Sequence, residues 1–298
     1  MYNAVVSAII SFAFTILGVS AFCAESALSF HREKLHFAIP SNKQIEATIL
    51  VPDKPVKSKF PVMLVFGGFQ EAARVLELIN PPSPVVVGSF DYPFLPPRKF
   101  EFPSSLKHAP AVKALMKDTL DGIGEFIRTL KLRDDVDVGR FTIVGASLGA
   151  PFAIAAAEKF QDIKGLAIIH GFGDVPGTAM HQFIQAWQSR YGIWSYPVAW
   201  ALSWGGWLYL NILQSEKLSP EKVVKTLRPS QKVIFVSARH DSFIPKESTE
   251  VLVRELKKSK ASVEFFETSG DHLQPGSGKL VSEVLELLSR WALRVGLI

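Results

Sequence analysis

A chain of 298 residues, 48% of them hydrophobic and 20% charged, can bury a large core and is too apolar to be disordered. Its net charge of +5 is spread along the sequence, with no basic run longer than Lys257-Lys258 plus Lys260, which reads as a solvated surface and argues against nucleic acid as a partner. The single cysteine, Cys23, excludes a disulfide within the chain and a catalytic thiol elsewhere, and the seven histidines form no H-x-x-x-H pair suited to zinc.

The chain begins with an apolar run, Ala4 to Val19, and its first charged residue is Glu25. Small residues follow at Ser20, Ala21 and Ala24, so residues 1–24 resemble a secretory signal peptide with Val19-Ser20-Ala21 as the cleavage site. A secreted or periplasmic mature protein is the expectation. The second reading is an uncleaved membrane anchor, because about 20 apolar residues span a bilayer. A lipoprotein modified at Cys23 ranks third, since Phe22 is bulky for that pattern.

From His31 to Pro52 two strand-like runs, Lys34–Ile39 and Gln44–Val51, flank the turn Pro40-Ser41-Asn42. Phe60–Phe66 is nearly all apolar, as a strand buried on both faces of a parallel sheet requires, and Gly67-Gly68-Phe69 ends it. Helical spacing follows over Gln70–Asn80, then a buried strand over Pro84–Phe90. Asp91 to Pro110 carries five prolines and reads as an irregular loop near the edge of the site. Val112–Leu130 is an amphipathic helix with Leu115, Met116, Leu120, Ile123 and Ile127 on one stripe.

Further on, strands are expected over Phe141–Ala146, Gly165–His170, Gln231–Ser237 and Ser262–Thr268, and helices over Ala150–Phe160, Glu247–Lys258 and Gly278–Val295. This alternation predicts an α/β fold with a mostly parallel central sheet and helices on both faces.

Asp174–Ser219 breaks the alternation. It holds five of the six tryptophans and no charged residue from Tyr191 to Ser215. A transmembrane helix is opposed by Pro197 and Gly205-Gly206; ordinary core and a small helical cap remain. In the cap reading, over 174–219, Trp200, Trp204 and Trp207 share one helix face at i, i+4, i+7 and line an apolar substrate pocket.

The chemistry centres on Gly145-Ala146-Ser147-Leu148-Gly149, a G-x-S-x-G motif between an apolar strand and a helix. That context is the nucleophile elbow, in which a sharp turn lifts the serine hydroxyl above the sheet edge. The bland rival makes Ser147 a helix N-cap and the glycines loop punctuation. A serine needs a base, and the base needs an acid to fix its tautomer. The partners follow in the order Ser, acid, His on such a fold. Asp241 follows the strand Gln231–Ser237 and His272 follows Ser262–Thr268. Asp271 is an alternative acid, Asp241 could instead cap the helix after Pro245, and His272 could be a solvent-facing loop residue. The oxyanion donors expected are the N–H groups of Leu148 and Phe69, with Gly68 the alternative to Phe69. His170-Gly171-Phe172-Gly173 looks like an oxyanion motif but follows the nucleophile, so it reads as a strand end with no role in the chemistry.

With the elbow, Asp241-Ser242-Phe243-Ile244-Pro245 and Gly270-Asp271-His272 in this order, the chain resembles the α/β-hydrolase family over nearly all of residues 25–298. The resemblance extends to its esterase, serine aminopeptidase and dienelactone hydrolase-like branches. It implies Ser147 as nucleophile, His272 as general base and acid, Asp241 as orienting carboxylate, and a covalent acyl-enzyme hydrolysed by water. No metal or organic cofactor is needed for that chemistry. Two departures stand out: the family often has His-Gly where this chain has Gly67-Gly68, and dienelactone hydrolases carry Cys where Ser147 stands. The leading expectation is an esterase acting on a small-molecule or lipid-like ester. An aminopeptidase-like enzyme, an acyltransferase and a non-catalytic binding protein on the same scaffold are the alternatives.

Overall fold

The all-apolar strands of the sequence form the middle of one eight-stranded sheet, ordered β1-β2-β4-β3-β5-β6-β7-β8. The computed structural model describes residues 28–53, 59–68, 72–93, 109–192, 197, 200, 219–273 and 278–298. The leader 1–24, Phe69, Trp204 and Trp207 lie outside the described residues. Among the described residues no helix is long and apolar enough to cross a membrane.

β1 (Phe30–Ala38) and β2 (Gln44–Pro52) form an antiparallel hairpin, and β2 pairs antiparallel with β4 (Val86–Phe90). β3 (Phe60–Phe66), β5 (Val136–Ala146), β6 (Ile163–Ile169), β7 (Lys232–Ala238) and β8 (Ser262–Thr268) continue the sheet in parallel with β4. β1 starts earlier than its apolar pattern suggests, because Phe30–Glu33 are recruited by pairing with Ile49–Pro52. β5 likewise reaches back to Val136, which pairs with Phe60 across a bulge, although Asp137–Arg140 carry no apolar run.

The helices are α1 (Ala72–Glu77), α2 (Ala109–Lys131), α3 (Gly149–Lys159), α4 (Val175–Tyr191), α5 (Pro220–Val223), α6 (Lys246–Leu256) and α7 (Gly278–Arg294). All five stripe residues expected of α2 are buried, and Phe126 packs so close to β4 that a Cβ on Gly88 would overlap its ring. α3 buries every residue from Gly149 to Ala157, a run rich in alanine, which lets a helix lie directly on β5 and β6. Two apolar clusters result, one on each face of the sheet: α2, α3 and α6 cover one, and α7 with Val284, Leu288 and Trp291 covers the other. The expectation of a mostly parallel sheet layered by helices on both faces is met, in the order of an α/β-hydrolase fold.

α4 occupies the first part of the predicted cap. Its N-cap Asp174 accepts a hydrogen bond from Gly177 N–H at 3.1 Å, with proline at the second position. The helix carries its own aromatic ladder, Phe183, Trp187 and Tyr191, with ring centroids 5.6 and 4.8 Å apart.

Candidate active site

The C-terminal ends of β3, β5, β6, β7 and β8 lie along one edge of the sheet, and Ser147, Leu148, Asp241 and His272 sit there. This is the edge at which parallel α/β sheets place ligands.

After β5 the chain turns sharply into α3. Ser147 holds φ +51°, the left-handed region that a non-glycine residue enters only when its surroundings over-determine it. Those surroundings are visible. Ser147 N–H donates to Ile169 O on β6 at 2.9 Å, and Ala150 N–H donates to Ser147 O at 3.0 Å. A Cβ on Gly149 would overlap the Phe66 carbonyl, and one on Gly145 would overlap Gly149 O and the Ala153 side chain. Both glycines are therefore required by close backbone approach.

The loops after β7 and β8 complete the set. His272, only 5% exposed, lies 2.9 Å from Ser147 Oγ through Nε2 and 2.9 Å from Asp241 Oδ2 through Nδ1. The other oxygen of Asp241 accepts N–H groups from Phe243 at 2.9 Å and Ile244 at 2.7 Å. Burial pushes the Asp241 carboxyl up, but the bond to His272 and these two N–H groups outweigh it and hold the carboxyl below its usual range. An ionised Asp241 fixes the tautomer with hydrogen on Nδ1, which leaves Nε2 free to accept from Ser147.

Asp271 is built differently. Its Oδ1 accepts from Ser242 N–H at 2.7 Å and His272 N–H at 2.6 Å, while Oδ2 accepts from Ser242 Oγ at 2.8 Å. It ties the two loops together through Ser242 and makes no bond to the His272 ring. Of the two candidate acids, Asp241 alone faces the ring.

Three neighbours escaped the sequence. Phe243 stacks on the His272 ring at 5.0 Å and 28°, and the carbonyl of Phe243 accepts from Gln182 on α4, which ties that helix to the loop after β7. Tyr92 donates its hydroxyl to Gly67 O at 2.6 Å from within a nest of Phe66 and Phe152, which orients the first peptide after β3. His170 is the third. It is 2% exposed, holds φ +47°, and its ring centroid lies 5.5 Å from that of His272. The HGFG segment follows the end of β6, as its reading as a strand end expects, and it also places His170 beside the His272 ring. A sequence signal existed, a histidine at the C-terminal end of a buried parallel strand, but only the fold brings it beside the loop after β8.

Leu148 stands at the N-terminus of α3 as expected, with helical φ and ψ. The expected oxyanion partner Phe69 lies outside the described residues, as do Trp204 and Trp207 of the expected pocket wall, and Trp200 is 46% exposed. Among the described residues one cluster has the spacing of a metal site: His170, Asp241 and His272 offer ligand atoms within 4.8 Å of one another. Asp241 and His272 already use their side-chain atoms in contacts with each other and with Ser147.

The dienelactone hydrolase family matches residues 107–270, more than half of the chain; the match takes in Ser147 and Asp241 and stops just short of His272. No curated protein matches in sequence. Among solved structures, the 2,6-dihydroxy-pseudo-oxynicotine hydrolase aligns with a TM-score of 0.58 at 12% identity, over 87% of this chain and 66% of that one. Fungal esterase from Rhizomucor miehei aligns at 0.59 and 14%, over 90% and 86%. An esterase of Pyrococcus furiosus aligns at 0.59 and 12%, over 89% and 93%. Identities this low establish the fold.

Proposed function

The chain belongs to the dienelactone hydrolase family, a family of hydrolases, and from that premise we propose that it cleaves carboxylic esters with Ser147 as nucleophile. The observation that carries the reading is the pair of 2.9 Å contacts linking Ser147 Oγ, the His272 ring and Asp241. A serine at this position departs from the cysteine of the family's namesake enzymes and calls for a base in hydrogen-bond reach, which His272 supplies.

In the proposed reaction Ser147 Oγ attacks the ester carbonyl carbon as its proton passes to His272 Nε2. The imidazolium is stabilised by Asp241, whose two further N–H bonds keep its carboxylate ionised and aimed. The tetrahedral oxyanion is received by Leu148 N–H and by an N–H of the loop after β3, Phe69 or Gly68. His272 then protonates the departing alcohol, and water repeats the sequence on the acyl-enzyme to release the acid and restore Ser147. Apolar substrates are favoured by the aromatic character of the cap, in which α4 contributes Phe183, Trp187 and Tyr191. An aminopeptidase-like role finds less support. Asp174, the only acid between Asp174 and Ser215, is committed to capping α4.

A fluorophosphonate probe tests the reading. Wild type should label, and Ser147→Ala and His272→Ala should not. A folded wild type that resists labelling would overturn it. An ester series should then show kcat/KM holding or rising as the acyl chain lengthens, and a steep fall would remove the apolar preference.

A further inference from the structure

We infer that His170 is a positioning residue for the base of this site, setting the His272 loop through the backbone rather than touching substrate. The inference rests on the serine-hydrolase reading given above.

Four observations converge on it. His170 sits at the end of β6, one strand away from the elbow, and its N–H donates to Val236 O on β7 at 2.7 Å. Its ring Nδ1 accepts the N–H of Leu273, the residue directly after His272, at 2.9 Å. Its φ of +47° is sterically costly for a side chain of this size, so the surrounding structure holds the ring in place against the backbone's preference. Its Nε2 is buried without a hydrogen-bond partner, an expense the fold bears at the edge of the site.

Because Leu273 N–H is a donor, Nδ1 must be unprotonated, and the ring is the neutral Nε2–H tautomer. Burial, followed by the nearby His272, holds its pKa down to about 4, so the acceptor survives across the range in which an esterase works. The geometric consequence is specific. His272 is fixed on its N-terminal side by Asp271, which accepts His272 N–H at 2.6 Å, and on its C-terminal side by His170 through Leu273 N–H. Those two backbone bonds bracket the residue whose ring must reach Ser147 and Asp241 at once. A base displaced by about 1 Å can cost on the order of 100-fold in rate.

The test separates an acceptor at the Nδ1 position from a polar side chain of similar size. His170→Asn places its amide oxygen near the Nδ1 position and tolerates positive φ, whereas His170→Gln places its oxygen near Nε2. Steady-state kinetics on a p-nitrophenyl ester should give His170→Asn a kcat within about threefold of wild type. His170→Gln should lose about 10- to 100-fold in kcat with KM little changed, since the ester's own contacts remain. Both variants should retain wild-type circular dichroism. Equal kcat in the two variants, whether both wild-type or both depressed, would overturn the assignment, as would a loss confined to KM. The underlying reading fails in a different way: wild type itself would then be inert toward fluorophosphonate.

Discussion

Asp241 and Asp271 lie in facing loops, both with carboxyls held below the usual range, yet their causes differ. For Asp271 the largest cause is the Ser242 N–H, followed by His272 N–H and the Ser242 hydroxyl, and no hydrogen bond to a ring takes part. For Asp241 the lowering begins with the His272 ring and has to overcome burial. Asp271 should therefore be structural and Asp241 part of the relay. Asp241→Asn keeps the shape but offers an amide to Nδ1, which favours the wrong tautomer, and should cut kcat by about 10³- to 10⁴-fold. Asp271→Asn keeps an acceptor for two of its three bonds and should cost less than about tenfold in kcat, with a modest loss of stability. Assaying the pair side by side checks the assignment; an Asp271→Asn loss as deep as that of Asp241→Asn would reverse it. Sequence order already favoured Asp241, because the rule that the acid follows β7 reflects the fold's connectivity. It could not show what Asp271 does, since the Ser242 contact exists only when two loops 29 positions apart are face to face.

At the level of elements, the site depends on α3 and β6 being held at the far edge of the sheet. Gln231, 1% exposed, donates to Ala157 O at 2.7 Å and Ile163 O at 3.1 Å, and accepts Arg228 N–H at 2.8 Å. The Arg228 guanidinium adds bonds to Ala157, Glu158 and Phe160 carbonyls. Together they satisfy carbonyls that the C-terminus of α3 leaves without partners, in place of the usual glycine cap. Gln231→Ala should destabilise the protein by about 2 kcal/mol, because it strands buried acceptors and creates a small void. Urea unfolding reads that loss, and kcat per folded molecule should stay at the wild-type level because Ser147 lies at the opposite end of β5. Neither residue was legible as a cap, since capping partners 68 to 74 positions away leave no local pattern. The elements themselves were legible where an apolar run is buried on both faces, as in β3, and β8 at the sheet's edge also matches its expected bounds. They blurred where pairing alone makes the strand, as at Phe30–Glu33 and Val136–Arg140.

For the molecule as a whole, the buried His170 links the site to acid stability. The unfolded chain takes up a proton on this histidine near the ordinary value of 6.5, and the folded chain only at about 4. Between those values the unfolded state binds more protons, so stability falls as pH falls, by on the order of 3 kcal/mol across the window. Lowered carboxyls act in a lower window. Glu33 and Asp135, each held down first by Arg133, contribute stability that is present above their unfolded values and lost as pH drops through the folded ones. His31 has the opposite sign. Its value is raised first by Asp53, so its contribution is complete below 6.5 and lost as pH rises through the folded value, and its exposure keeps it small. Wild type should therefore begin to lose stability from about pH 6.5 downward, before the carboxyls titrate. His170→Asn removes this buried group and should leave stability nearly flat from pH 6.5 to about 5, with the same fall below that. Urea midpoints measured for both proteins from pH 7.5 to 4 decide it. Parallel curves would mean that the early loss comes from another group, while a flattened variant curve ties the acid sensitivity of the fold to the residue that braces the base.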